Sequence, residues 1–230
     1  MASNTSEKGH VSTSNNQTEY SDVEQGRVIS TGEGRAHPSG IGNPGPMGLF
    51  AFASTTFILS MYNVQARGIT TSNVVVGMAI FGGGLTQFIA GMWEFPRGNV
   101  FGATAFSSYG AFWMSYATIF IPSSGILAAY PDPTELASAL GIYLVAWLMV
   151  TIFFLLAVVN RSIAYTLLLS SLTIAFACLA GAQFSGSVMV TKAGGAFGII
   201  TAFIAYYIGV SEMLAAEQHA VIALPLGTWR

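Results

Sequence analysis

The side chains in this sequence that could do chemistry are few, and they are hydrogen-bond donors and acceptors set among apolar neighbours, not nucleophile–base sets. The first group is Asn43-Pro44-Gly45-Pro46-Met47-Gly48-Leu49. Two prolines just ahead of a long apolar run suit the mouth of a helix, whose first N–H groups have no partner inside the helix. Asn43 is placed to cap that helix, and a helix start with free N–H groups and partial positive charge attracts anions. Next come polar groups inside apolar stretches: Thr55 and Thr56; Gln87; Ser107, Ser108, Tyr109 and Tyr116; and Thr166, Ser170 and Thr173, whose i, i+4, i+7 spacing makes one helical stripe. Such groups either line a polar path or bond a neighbouring helix or their own backbone, and spacing leaves both open. Glu94 and Arg97 stand at i, i+3 on one face, as a structural clamp or a proton-linked carboxylate.

Bond-making chemistry is poorly served. His10, His37 and His219 all fall outside the apolar runs, and there is no His-Glu-x-x-His motif, serine–histidine pair or paired intramembrane aspartate. No catalytic residue, metal ligand or cofactor is expected. Gly82-Gly83-Gly84 is not followed by Gly-Lys-Ser, so it reads as a close helix contact or bend and not as a phosphate loop. Cys178, the one cysteine, lies in an apolar run and reads as a small packing residue.

The elements that must position these groups follow from composition. Of 230 residues, 53% are hydrophobic and only 8% charged, against about a quarter in soluble domains, which makes this an integral membrane protein. A net charge of −2 without a basic cluster excludes nucleic acid as a partner. Residues 1–42 are rich in Ser, Thr, Asn, Gln and Gly and hold Glu7, Glu19, Asp22, Glu24 and Glu33, so a disordered cytoplasmic tail is expected there. No apolar core follows Met1 in that stretch, and a cleavable signal peptide is not expected.

Windows of about 20 apolar residues give six membrane helices, over 47–64, 74–93, 103–122, 136–159, 162–181 and 194–214. The chain thus reads as an all-α bundle, a transport domain over 43–214 with a short cytoplasmic C-terminal tail over 215–230. Lys8, Arg27, Arg35, Arg97, Arg161 and Arg230 fall on one side and Arg67 and Lys192 on the other, which puts both termini in the cytoplasm. Gly194, Gly198 and Ala202, with Ala205 and Gly209, recur every fourth residue and predict close helix contact.

The motif at 43–49 resembles the Asn-Pro-Ala-Pro-Leu-Gly-Leu signature of the acetate uptake transporter family, which includes fungal acetate permeases and bacterial succinate–acetate permeases. Gly45 and Met47 depart from it, where alanine and leucine are usual. The run from Phe81 to Gly91, the run from Glu94 to Gly110, Ser171-Leu172-Thr173, and Gly209-Val210-Ser211-Glu212 resemble the family as well, so the similarity covers about 41–226. It implies a six-helix protomer assembled as a homo-hexamer in the plasma membrane. Each protomer would carry a proton-coupled path for acetate and related small carboxylates. The family's apolar constriction maps onto Phe52, Tyr109 and Leu172. Donors replacing water around a carboxylate would be N–H groups near Asn43, the Tyr109 hydroxyl and Ser or Thr hydroxyls, with Thr55, Thr56, Gln87, Ser108 and Thr173 as substrate-binding candidates. The alternatives are ammonium-linked transport and a non-transporting membrane organiser or sensor.

Overall fold

The computed structural model describes residues 40–227, so nearly all of the expected tail over 1–42 lies outside the described residues, as do residues 228–230. The described residues form helices and loops without strands. In order they are α1 (Gly45–Asn63), α2 (Val75–Ile80), a π-helical stretch (Phe81–Thr86), α3 (Gln87–Glu94), α4 (Val100–Phe120), α5 (Pro133–Val158), α6 (Ile163–Ser185) and α7 (Val188–Ala216). α2, the π-helical stretch and α3 continue as one rod, Val75–Glu94. That rod, α5, α6 and α7 are four helices long and apolar enough to cross a membrane. α1 and α4, of 19 and 21 residues, carry more small and polar side chains. They can do so because they face protein instead of lipid: more than half of α1 is buried, against only Gly141, Leu144, Thr151 and Val158 of the 26 residues of α5.

Helix boundaries are decided by caps as much as by apolarity. Asn43 works from one position further out than a cap residue: Pro44 stands at the cap, and the Asn43 Oδ1 accepts from the Gly45 N–H at 3.0 Å. Asp132 starts α5 by accepting from the Thr134 N–H at 2.8 Å, three residues before the apolar window opens. α7 begins at Val188, six residues before its window, with Ser187 as cap. The window stops at Lys192, whereas a helix carries a lysine near its end without difficulty because the long side chain reaches the interface. The chain after α7 folds back on the bundle: the Ile163 and Ala164 N–H groups, orphans at the start of α6, donate to the Gly227 and Leu226 carbonyls at 3.2 and 3.0 Å.

α1 packs along α7, α7 along α6 and α6 along α5, while α3 and the π-helical stretch lie against α4 and α1. The predicted small-residue face of α7 is what lets α1 approach: Ala202 and Ala205 are fully buried, a Cβ at Gly198 would run into the Ser60 side chain and one at Gly209 would lie 3.1 Å from the Phe50 ring, while Gly194 faces Leu179 of α6 instead. α4 and α5 have little backbone contact and are bridged by rings. Phe112 meets Tyr143 and Trp147 at centroid distances of 5.9 and 5.1 Å, and Tyr109 meets Phe154 at 5.7 Å. Aromatic spacers between two helices leave irregular room inside the bundle, and a cavity opens beside them.

Candidate functional site

Among the described residues, two cavities inside the bundle share a wall. The larger, of about 120 Å³, is lined by α1, α4, α5, α6 and α7, including Phe52, Thr56, Tyr109, Trp113 and Leu172. The smaller, of about 60 Å³, is lined by Phe52, Tyr109, Gln87, Glu94, Tyr165 and Glu212 among others. Phe52 and Tyr109 border both, and their ring centroids are 5.6 Å apart. Leu172 borders the larger cavity only. All three are buried: Phe52 on α1 and Tyr109 on α4 stand between the two spaces, and Leu172 on α6 lines the larger one.

Electrostatics differ between the two sides. At the end of the smaller cavity Glu94 and Glu212 belong to one network with a single guanidinium. Arg97 Nη1 lies 3.1 Å from Glu94 Oε2 and donates to Asn43 Oδ1 at 2.6 Å. Asn43 Nδ2 donates to Glu212 Oε2 at 3.1 Å, and the Tyr165 hydroxyl donates to Glu212 Oε1 at 2.5 Å. Loop geometry makes this possible: Arg97 and Asn99 N–H groups both donate to the Glu94 carbonyl at 3.2 Å, turning the chain back toward α1 before Asn99 caps α4. Among the described residues, no acidic or basic side chain lines the larger cavity.

The polar candidates divide. Gln87 lines the smaller cavity, 1% exposed, with its Oε1 unpartnered. Thr56 lines the larger one with its Oγ1 unpartnered. Asn43 uses its amide to tie Arg97, Glu212 and the start of α1 together. Thr55 donates to the Ala51 carbonyl at 2.9 Å and packs against the π-helical stretch. Thr173 donates to the Leu169 carbonyl at 2.7 Å, and neither it nor Ser108 lines the two cavities. Thr166 likewise bonds its own helix, at the Ser162 carbonyl, 2.7 Å away. For most of the hydroxyls the backbone was the partner, as expected where no water competes.

Tyr109 holds a surprise. Its hydroxyl is 3.0 Å from Thr151 Oγ1, and Thr151 gives its only proton to the Trp147 carbonyl at 2.8 Å. Tyr109 must therefore be the donor, so the proton read from sequence as available to a carboxylate is held by Thr151. What Tyr109 offers the path is its ring and its oxygen lone pairs. Thr151 and Tyr165 escaped the reading of the sequence because nothing in their spacing separates them from ordinary span residues. Glu212 carried a visible signal, as the one charge within the apolar windows.

The sequence pattern of the GPR1/FUN34/yaaH family matches residues 27–227. Ammonia transport outward protein 2 of Saccharomyces cerevisiae is 43% identical over 201 residues, covering 87% of this chain and 71% of that one. The succinate-acetate/proton symporter SatP of Escherichia coli is 35% identical over 188 residues, covering 81% of this chain and 96% of that one. The solved structure of the bacterial acetate channel SatP aligns with a TM-score of 0.71 at 32% identity, covering 81% of this chain and 99% of that one. These relatives are transporters or channels, not enzymes, and the family match over 27–227 spans the lining of both cavities and the 43–49 motif. The chain belongs to the GPR1/FUN34/yaaH family.

Proposed function

We propose that this chain crosses the plasma membrane six times with both termini in the cytoplasm and moves acetate and related short carboxylates through each protomer of a homo-hexamer, coupled to protons. One observation carries the reading: two cavities meet at the Phe52 and Tyr109 rings, with Leu172 lining the larger one, inside the bundle of a chain akin to an acetate channel. An apolar waist penalises hydrated ions and passes a small solute that can shed its water. Proton coupling finds support in the charge balance of the smaller cavity. A carboxylate anion entering it faces Glu94 and Glu212 against one guanidinium, Arg97, so the neutral acid is favoured there. The proton travels with the substrate past that end.

Uptake of labelled acetate into liposomes holding the purified protein tests this, with an acid-outside gradient expected to accelerate it. Acetate flux no greater than in protein-free liposomes would sink the reading. The same carboxylates favour a cation as well as a neutral acid, and the Saccharomyces cerevisiae relative is named for ammonia transport, so ammonium-linked transport is the second reading. Labelled methylammonium in the same liposomes separates the two.

A further inference from the structure

Resting on that acetate-transport reading, we infer that Glu212 is the residue that holds the transported proton, and that the Tyr165 hydroxyl relays it to the carboxylate in the smaller cavity. Both residues line that cavity, and Tyr165 Oη lies 2.5 Å from Glu212 Oε1. The two acids at this end differ. Glu94 is 1% exposed and has the Arg97 guanidinium as its counter-ion at 3.1 Å. Glu212 is half-buried, and the side chains bonded to it are neutral, the Tyr165 hydroxyl and the Asn43 amide. One guanidinium between two carboxylates leaves one negative charge over, and a proton on Glu212 cancels it.

Among the described residues, the charged and titratable groups around Glu212 are Glu94 and Arg97 at the end of α3 and in the loop after it, Arg161 and Tyr165 at the start of α6, and Glu217 and His219, both exposed, beyond the end of α7; the start of α1 adds the Asn43 amide. The transfer balances in two linked shifts. Protonated Glu212 gives its Oε1 proton to Tyr165 Oη while the tyrosine hydroxyl proton moves to a carboxylate oxygen of the substrate. Glu212 is left ionised, Tyr165 neutral, and the substrate a neutral acid. The hydrogen bond from Tyr165 to Glu212 is the one that this transfer leaves behind. Partial exposure lets solvent recharge Glu212, a route that Glu94 lacks.

A second observation points to the product of that step. Gln87 Oε1 is a buried acceptor without a donor, on a residue 1% exposed in the wall of the same cavity. A carboxylate ion brings it no donor, whereas a carboxylic acid brings an O–H. The cavity thus offers the protonated form a partner that the anion cannot use. The chain after α7 holds the relay in register: the Leu224 carbonyl accepts from Ser211 Oγ, next to Glu212, and the Leu226 and Gly227 carbonyls accept from the Ala164 and Ile163 N–H groups, next to Tyr165.

Glu212→Gln keeps the side chain's shape without a titrating proton, Tyr165→Phe keeps the ring and cuts the relay, and Glu212→Asp keeps a carboxyl. Labelled acetate flux above the protein-free background is measured in liposomes holding the full chain, with pH equal on both sides and stepped across neutrality. At neutral pH the first two variants should carry about 100-fold less acetate, the low end of what a positioned proton donor contributes. Their residual flux should follow the acid already neutral in solution, falling about 10-fold per pH unit, where wild type falls less steeply. Glu212→Asp should restore part of the shallower profile. A merely structural role would scale the whole profile down and leave its slope alone. Wild-type slope in folded Tyr165→Phe or Glu212→Gln overturns the relay while acetate transport stands, and should Glu212→Gln fail to fold, Tyr165→Phe still decides. Wild-type flux no greater than in protein-free liposomes sinks the transport reading itself, and the relay with it.

Discussion

Replacing Leu172 by alanine tests whether the junction of the two cavities selects substrate by size. In a soluble core this truncation costs about 2–5 kcal/mol, from lost transfer out of water plus the void left behind. Here the first part shrinks, because a membrane helix is out of water before it packs as well as after. The second part shrinks too, since Leu172 already borders a cavity on one side. A destabilisation of about 1–2 kcal/mol is expected, at or below the lower edge of the soluble range. The functional effect should be larger. Alanine removes three carbons from the wall of the larger cavity, which Phe52 and Tyr109 also line, while propionate and lactate exceed acetate by one carbon. A single methylene in a fitted pocket discriminates by about 10-fold or more, so the rate of lactate or propionate relative to acetate should rise by about 10-fold. Liposome uptake of the labelled acids in competition, with thermal melts of the same preparations, reads both quantities. A Leu172→Ala protein that is folded yet transports these acids in wild-type proportions would refute the argument and leave Leu172 as ordinary helix packing.

The remaining predictions concern hydrogen bonds and charge. Tyr109→Phe keeps the ring and strands only the Thr151 lone pairs, so a loss of about 0.5–1.5 kcal/mol in stability with unchanged size selectivity is expected in melts and competition uptake; a gain of lactate would contradict it. Glu94→Gln removes one partner of the ion pair with Arg97, which also holds Asn43, and should lower the melting temperature and folded yield more than it changes the pH profile of uptake. A lost pH profile at unchanged yield would instead mark Glu94 as the proton carrier. Asp132, exposed at the start of α5, is held below the ordinary carboxylate range by the Thr134 N–H and then by its hydroxyl. A lowered folded-state value means the stabilisation is present above the unfolded value and fades as pH falls through the folded one. Asp132→Ala should therefore melt earlier than wild type at neutral pH, and the gap should close in strong acid.

Much of the architecture was legible because the bilayer reduces it to a one-dimensional problem. Long charge-free stretches must be helical where no water can satisfy the backbone, so the apolar windows located the six long helical stretches to within a few residues at most ends. Their ends were less legible at Val188 and Pro133, where a serine and an aspartate cap extend the helix past the apolar window. The Glu94–Arg97 pair was readable because i, i+3 neighbours meet on any helix. What the tertiary structure alone decided is which polar groups are already paired. Thr55 and Thr56 are adjacent and alike in sequence, yet one bonds its own helix and the other stands unpartnered beside a cavity, since helical geometry turns consecutive side chains about 100° apart and only the packed neighbours say what each then faces. The same holds for Tyr109, whose proton goes to Thr151 from 42 residues away, and for Glu212, joined to Asn43 across 169 residues: contacts at such separations follow from how the helices pack, and no spacing along the chain encodes them.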